Sequence, residues 1–504
     1  MSNKDDNWFD TTPEENKIKP VKRRRGSRFY FSKMKFKLNN KFTRPFINAY
    51  GVIASSTTKA LGILLRKLND KPLLKKILYT LIIILIFRIA ATITIPGITI
   101  QQNIGQNPAS LIGIMDMMGG GALRNFSIVA LGISPYITAS IIMQMLQSEV
   151  FPPLYRLSQT GPAGKRKINI ITRIATLVFA FIQAITVIQT VSTFATIAPS
   201  LNTQWFKFFV LPVILIAGSM FALFLGEQIT NNGVGNGTSL IIFSGIASAM
   251  PAKFRNAYLE LVGSGDATSA FTGIINFIIY IGFFLFIIFI ISYFYKAERH
   301  IPIQQTGSGM SKDVKQMSRL PIKLNPAGVM PVIFALTITM IPLTIAQFLD
   351  KQNLSRQWIQ ENMSLTSPLG LIIFVSVIFL FTVVMALVTF NPNRVADNFK
   401  KNGTFIPGIR PGIETEDYLS GIIIRLAIFS SFYLSIISAL QYVEQIIGLS
   451  RGITFSGTSL IIMVSVAIET MGQLKARHQS VKISKARWNS VKSNNTSSTK
   501  GLLW

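Results

Sequence analysis

Ser110-Leu111-Ile112-Gly113-Ile114-Met115-Asp116-Met117-Met118-Gly119-Gly120-Gly121 is an apolar segment that stops too soon. A helix of about ten residues rises roughly 15 Å, half of a hydrocarbon core. The three glycines then end it, because a residue without Cβ costs a helix stability and favours its terminus. Only beyond Asn125 does a run long enough to cross begin, 127–146. An apolar half-helix tied by glycines to a crossing one reads as a re-entrant element. Non-helical backbone at membrane depth persists only where protein buries it or where it lines a watery cavity. That reading predicts a channel or transporter interior with a small movable piece inside it. Periodicity alone leaves a long external loop with some apolar residues equally open.

The rest of the 504 residues settles the class. They are 49% hydrophobic, with runs near crossing length at 73–95, 127–146, 168–191, 207–226, 271–294, 327–348, 369–390, 418–440 and 457–474. A shorter tenth, 238–250, crosses only by borrowing from the glycine-rich 227–237 before it. That stretch follows no strand and lacks the Lys and Ser/Thr of a phosphate-cradling loop, so no nucleotide site is expected. The first sixty residues are polar and basic, which predicts no cleavable signal peptide. With zero cysteines and only His300 and His478, both in basic polar segments, no disulfide, metal site or haem is expected.

A net charge of +29 suggests nucleic acid until it is mapped onto ten spans. Both termini then share one side, and that side holds 41 of the 50 Lys and Arg. The asymmetry is the positive-inside bias, so both termini are expected in the cytoplasm. The same basic faces can touch anionic lipid or a ribosome, although orientation accounts for most of them. Arg88 and Arg425 lie within spans; Arg88, more than half-way across, is expected to face a cavity or a partner.

In order, 1–71 is a basic cytoplasmic arm and 72–250 a first set of five spans, with the re-entrant stretch at about 107–123. An external connection at 251–270 leads to five more spans, 271–474, and a polar cytoplasmic tail, 475–504. Because five is odd, the second set enters from the opposite side, and related halves would form an inverted repeat. In the second span Pro135 is expected to kink the helix. Ser140 and Gln144 share a face with Tyr136 there, and Gln183 is the one buried polar group of the third span. The long internal loops, 296–323 and 391–417, are cytoplasmic. In the second, Pro407, Gly408, Pro411 and Gly412 frame Arg410 as a rigid tip that presents a cation to a partner.

Across the spans the sequence has no paired carboxylates, no mid-depth Asp and no His. That speaks against an ion-coupled secondary transporter and against an intramembrane protease, and no catalytic residue is assigned. Abundant isoleucines beside kinks and glycines suit instead an apolar constriction, which stops ions by dewetting and yields to something large and flexible. A membrane-surface scaffold does not fit ten spans.

At these residues the chain resembles the SecY/Sec61-alpha family of protein-conducting channels. The likeness covers about 73–475 and rests on specific motifs. They are Phe87-Arg88-Ile89 with Ile95-Pro96-Gly97; Gly120-Gly121-Ala122-Leu123; and Ala130-Leu131-Gly132-Ile133-Ser134-Pro135-Tyr136-Ile137. Gly235-Asn236-Gly237-Thr238-Ser239-Leu240-Ile241-Ile242-Phe243 follows, then Leu320-Pro321 with Asn325 and Ala327-Gly328-Val329-Met330-Pro331. Ala396-Asp397-Asn398, Pro407-Gly408-Ile409-Arg410-Pro411-Gly412 and Gly457-Thr458-Ser459-Leu460 complete the set.

The resemblance implies an all-α integral membrane protein. Ten transmembrane helices form two inverted five-helix halves around a central pore, hinged at the 251–270 connection, with a re-entrant plug helix. The plug would comprise Leu111, Ile112, Ile114, Met115 and Met118, with Gly119, Gly120 and Gly121 as its hinge. A pore ring maps to Ile133, Ile137, Thr238, Ile242, Ile333 and Ile462, where Thr238 departs from the usual isoleucine. A lateral gate would open between spans two and three on one side and seven and eight on the other, near Ser140, Gln144 and Gln183. Arg299, Pro407, Gly408 and Arg410 would dock the SecA motor or a ribosome, with ribosomal RNA within reach of the basic loops. The implied partners are the small subunits SecE and SecG, SecA, the ribosome, signal peptides, nascent chains and membrane lipid, in a bacterial plasma membrane. No cofactor is implied. An accessory family member with a narrow cargo set is the alternative; the intact loop motifs favour the housekeeping form.

Overall fold

The computed structural model describes residues 71–100, 121–123, 126–147, 151–191, 195–197, 203–263, 267–306, 318–350, 352–448, 454 and 456–500. The expected arm and the plug residues Leu111, Ile112, Ile114, Met115, Met118, Gly119 and Gly120 lie outside these. Every element below belongs to the unit 67–504.

The first half holds α1 (Lys71–Thr92), strand β1 (Ile98–Ile100), α2 (Ser134–Leu146), α3 (Pro152–Gln159) and α4 (Pro162–Val191). Strand β2 (Ala195–Ile197), a π-helical turn at Phe206–Val210, α5 (Leu211–Asn232) and α6 (Gly237–Val262) complete it. The second half opens with α7 (Ala267–Lys296), β3 (Glu298–Gln305), β4 (Ser318–Lys323), α8 (Met330–Phe348) and α9 (Leu354–Asn362). It ends with α10 (Pro368–Phe390), α11 (Pro392–Lys401), β5 (Thr404–Phe405), α12 (Ile413–Ile446) and α13 (Gly457–Lys500).

Seven helices among the described residues are long and apolar enough to cross a membrane: α4, α5 with its π turn, α7, α8, α10, α12 and α13. With α1, α2 and α6 they make the ten-helix architecture. The helices are apolar nearly all round, as expected where one side meets protein and the other acyl chains. The crossing window of α7 has a mean hydropathy of 3.0, yet only 17% of it is buried, so its outer face is left for lipid or another membrane chain. Leu81 and Leu85 of α1 and Ile278 and Phe289 of α7 are exposed in this way.

Inside, one continuous apolar cluster runs through both halves. Small residues bring backbones together within it: a Cβ on Gly237 would overlap the Gly226 carbonyl, so α5 and α6 close on each other without side chains between them. The halves meet along two lines. On one, α8 packs against α2 and α4; on the other, α6 packs against α7 and α13.

Several expectations are corrected. The second span is helical only from Ser134, and residues 126–133 form successive turns, with Ala130 N to Ser127 O at 2.9 Å and Gly132 N to Val129 O at 2.8 Å. Pro135 therefore starts α2 rather than kinking it, because a residue with fixed φ and no N–H suits a first turn. The glycine loop shrinks to 233–236, since α5 runs to Asn232. The apolar run of the fifth span stays short, but its helix does not: α6 has 26 residues and continues through Pro251, absorbing most of the expected external connection 251–270. Residues 475–500, expected as a polar tail, extend α13.

The described parts of the two long loops meet in an antiparallel sheet β4-β3-β5. Arg299 pairs with Ile322, and Gln304 with Phe405. Beneath the sheet Ile301, Ile322, Ile406, Leu419 and Ile422 make a second core.

Candidate functional site

Five of the six residues expected in the ring belong to the central apolar cluster. Ile133 caps the start of α2 and Ile137 follows within its first turn, the Ile137 amide donating to the Ile133 carbonyl at 3.0 Å. Ile333 lies two residues after Pro331 in the first turn of α8, as Ile137 lies two after Pro135. Ile242 and Ile462 sit five residues into α6 and α13. All five are at most 8% exposed. Four helices, two from each half, thus each offer buried isoleucine close to their starts.

Thr238 behaves differently. It is half-buried one turn before Ile242, and its hydroxyl donates to the Asn236 side chain at 2.8 Å. The side chain is engaged at the helix start rather than packed with the isoleucines.

The sequence carries a signal for this arrangement. Gly237-Thr238-Ser239-Leu240-Ile241-Ile242 and Gly457-Thr458-Ser459-Leu460-Ile461-Ile462 are identical hexapeptides, opening the fifth and tenth spans. They occupy corresponding places in the two halves, as an inverted repeat requires.

Gly121, the last residue of the plug stretch, is described. A Cβ built on it would lie 3.6 Å from the Gly245 carbonyl oxygen, so the stretch ends against α6 one turn beyond Ile242. At the same turn the Arg88 guanidinium donates to the Ser244 carbonyl at 2.9 Å. The intramembrane cation therefore binds backbone oxygens of α6, and its cost within the span is offset by charge-assisted hydrogen bonds.

Of the gate residues, Ser140 hydrogen-bonds Tyr136 on its own helix. Gln183 of α4 approaches the Thr138 hydroxyl of α2 at 3.5 Å, and its carbonyl oxygen is buried without a hydrogen-bond partner. An orphaned buried acceptor is costly. Gln144 is half-buried near the end of α2. All three lie on α2 or α4, first-half helices that pack against α8. Sequence reasoning missed the bidentate pair that fixes α4 to α5: the Arg173 guanidinium donates to both Glu227 oxygens, at 2.8 and 2.7 Å. The two residues are 54 apart, and no spacing announces them.

On the sheet side Ile406 anchors a turn, with Ile409 N donating to Ile406 O at 3.1 Å, and Pro407 and Gly408 are exposed beyond it. The Arg410 side chain is 88% exposed, touched only loosely by Glu414 at 4.0 Å. The Thr415 hydroxyl holds the Arg410 carbonyl at 2.8 Å, so the backbone is fixed while the guanidinium stays available. Arg299 is exposed on β3. No group of His, Cys, Asp and Glu suited to a metal occurs among the described residues.

The family model for SecY matches residues 127–471. Among similar proteins, the protein translocase subunit SecY of Mycoplasma capricolum is 39% identical over 459 residues, covering 88% of this chain and 92% of its own. That of Bacillus subtilis is 40% identical over 406 residues, covering 80% and 94%. A solved protein-conducting channel superimposes with a TM-score of 0.56 at 18% identity, covering 80% of this chain and 92% of its own. Sec61 from a canine ribosome–channel complex gives 0.53 at 17%, covering 80% and 92%.

Proposed function

From the premise that this chain belongs to the SecY family, we propose that it forms the channel through which unfolded secretory polypeptides cross a bacterial plasma membrane. Apolar segments leave the same channel sideways into lipid. The observation that carries the reading is the buried set Ile133, Ile137, Ile242, Ile333 and Ile462, drawn from both halves. Two of the helices that bear it, α2 and α8, also meet along the line between the halves.

The isoleucines make an apolar neck that hydrated ions do not wet, and that flexible side chains reseal around a passing chain. The stretch ending at Gly121 plugs the neck at rest. Parting α8 from α2 and α4 opens the lateral gate. Arg410 and Arg299 dock the partner that supplies the driving force, SecA or a ribosome, since the chain carries no phosphate-cradling loop of its own. SecE and SecG cover part of the exposed apolar surface, and both termini face the cytoplasm.

The test is reconstitution of the purified chain with SecE, SecG and SecA in vesicles, with ATP and a signal-bearing precursor. Precursor is expected to become protease-protected with time, and a precursor lacking its signal to remain accessible. Absence of protection with every component present overturns the reading.

A further inference from the structure

The loop 233–236 between α5 and α6 is held from two sides. From the first half, the Thr80 hydroxyl of α1 accepts the Val234 amide at 3.0 Å. From the second half, the Arg477 guanidinium of α13 donates to the Gly233 carbonyl at 2.6 Å, across 244 residues of sequence. Gly233 caps the end of α5, where the last carbonyls lack partners within the helix and carry partial negative charge. Arg477 satisfies one of them from another helix. Thr470 lies seven residues, or two turns, before Arg477 on the same face of α13. A Cβ on Gly235 would come within 3.3 Å of the Thr470 hydroxyl, so the loop nests against that face.

The chain itself joins the halves at the far end of α6, between Val262 and Ala267. α6 has 26 residues, so about 39 Å of helix separates that link from the Arg477 contact. Between the two points α13 packs along both α6 and α7. Two fixed points define an axis, and the line where α8 meets α2 and α4 lies off it.

We propose that the Arg477–Gly233 contact is a second pivot of the channel. The halves turn about the line from this contact to the α6–α7 link, and the bond persists while the opposite side opens. Arg477 is then a positioning residue. It keeps the start of α6, with Ile242, in register with α13, which bears Ile462. The inference rests on the two-half channel reading above.

The chain has no cysteine, so introduced thiols report alone. Asn232→Cys with Arg477→Cys, joined by a short flexible bismaleimide in the reconstituted complex, is expected to transport precursor within about twofold of the unjoined protein. Transport lost on joining means that the pair separates during opening, and overturns the pivot. A parallel reaction with unaltered protein reads the channel function separately. If it fails, the channel reading and the pivot fall together; if only the joined variant fails, the pivot alone falls. A second measurement leaves Arg477 in place, with spin labels at Asn232→Cys and Lys475→Cys. Their separation is expected to stay constant between idle and precursor-engaged channels, while labels at Phe181→Cys on α4 and Ile345→Cys on α8 move apart. A change at the first pair as large as at the second overturns the pivot.

Discussion

Arg88 and Gly121 approach the same turn of α6: the guanidinium reaches the Ser244 carbonyl at 2.9 Å and the Gly245 carbonyl at 3.5 Å, and a Cβ on Gly121 would lie 3.6 Å from the Gly245 oxygen. The cation thus anchors α1 to the helix against which the plug stretch ends. Arg88→Ala is expected to cost about 1.5–3 kcal/mol, the usual worth of a hydrogen bond from a charged group, read as a lower melting temperature in detergent. Arg88→Lys should lose part of this, having one compact charge in place of a planar fork. Arg88→Glu should not accumulate, because a carboxylate would face carbonyl oxygens.

The proposed isoleucine neck is tested by ion conductance. Ile137→Asn combined with Ile333→Asn should raise resting conductance strongly in planar bilayers, since amides let water into an apolar constriction. Ile378 of α10 is fully buried and serves as the control. Ile378→Asn should lower stability without conductance. Equal conductance from the ring double variant and the unaltered channel, at normal expression, removes these residues from the neck. Thr238→Ile should tighten the resting seal slightly, at the cost of the Asn236 hydrogen bond.

At the exposed tip, Arg410→Glu should abolish precursor transport while leaving insertion and melting behaviour unchanged, because the backbone there is held by Ile406 and Thr415 rather than by the guanidinium. Arg410→Lys should transport at an intermediate rate. Normal transport by the Glu variant would refute docking through this residue.

The Arg173–Glu227 pair looks stronger than it is. Its side chains are 52% and 31% exposed, so solvent screens the attraction. A double-mutant cycle with Arg173→Met and Glu227→Gln should give a coupling of about 0.2–1 kcal/mol, falling as salt rises. A coupling several times larger, insensitive to salt, would mean that the pair is effectively desolvated.

Much of this molecule was legible in the sequence because lipid imposes one rule, length of apolar run, on every crossing. The runs found α7 and α10 almost to their ends and the middles of the longer α4 and α12. They failed where proline acted against its average. Pro135 starts a helix instead of kinking one, and Pro251 is carried inside α6; hydropathy does not register either choice. The resemblance pointed to five isoleucines that are buried here, and the twin hexapeptides at Gly237 and Gly457 pair two of them. Arg173 with Glu227, and Arg477 with Gly233, were invisible. Each joins residues far apart in the chain, and Arg477 had been credited only with orientation.

The rungs Gln304–Phe405 and Gln305–Thr404 have a mechanical consequence. They stitch the segment before the Arg410 tip onto β3, and β3 begins only two residues after α7 ends. A load applied at the tip is therefore carried as shear across a ladder of backbone bonds and delivered along the axis of α7. The sheet works as a lever arm. A partner bound at the tip, as proposed, would push on a rod at its end instead of tugging a slack tether.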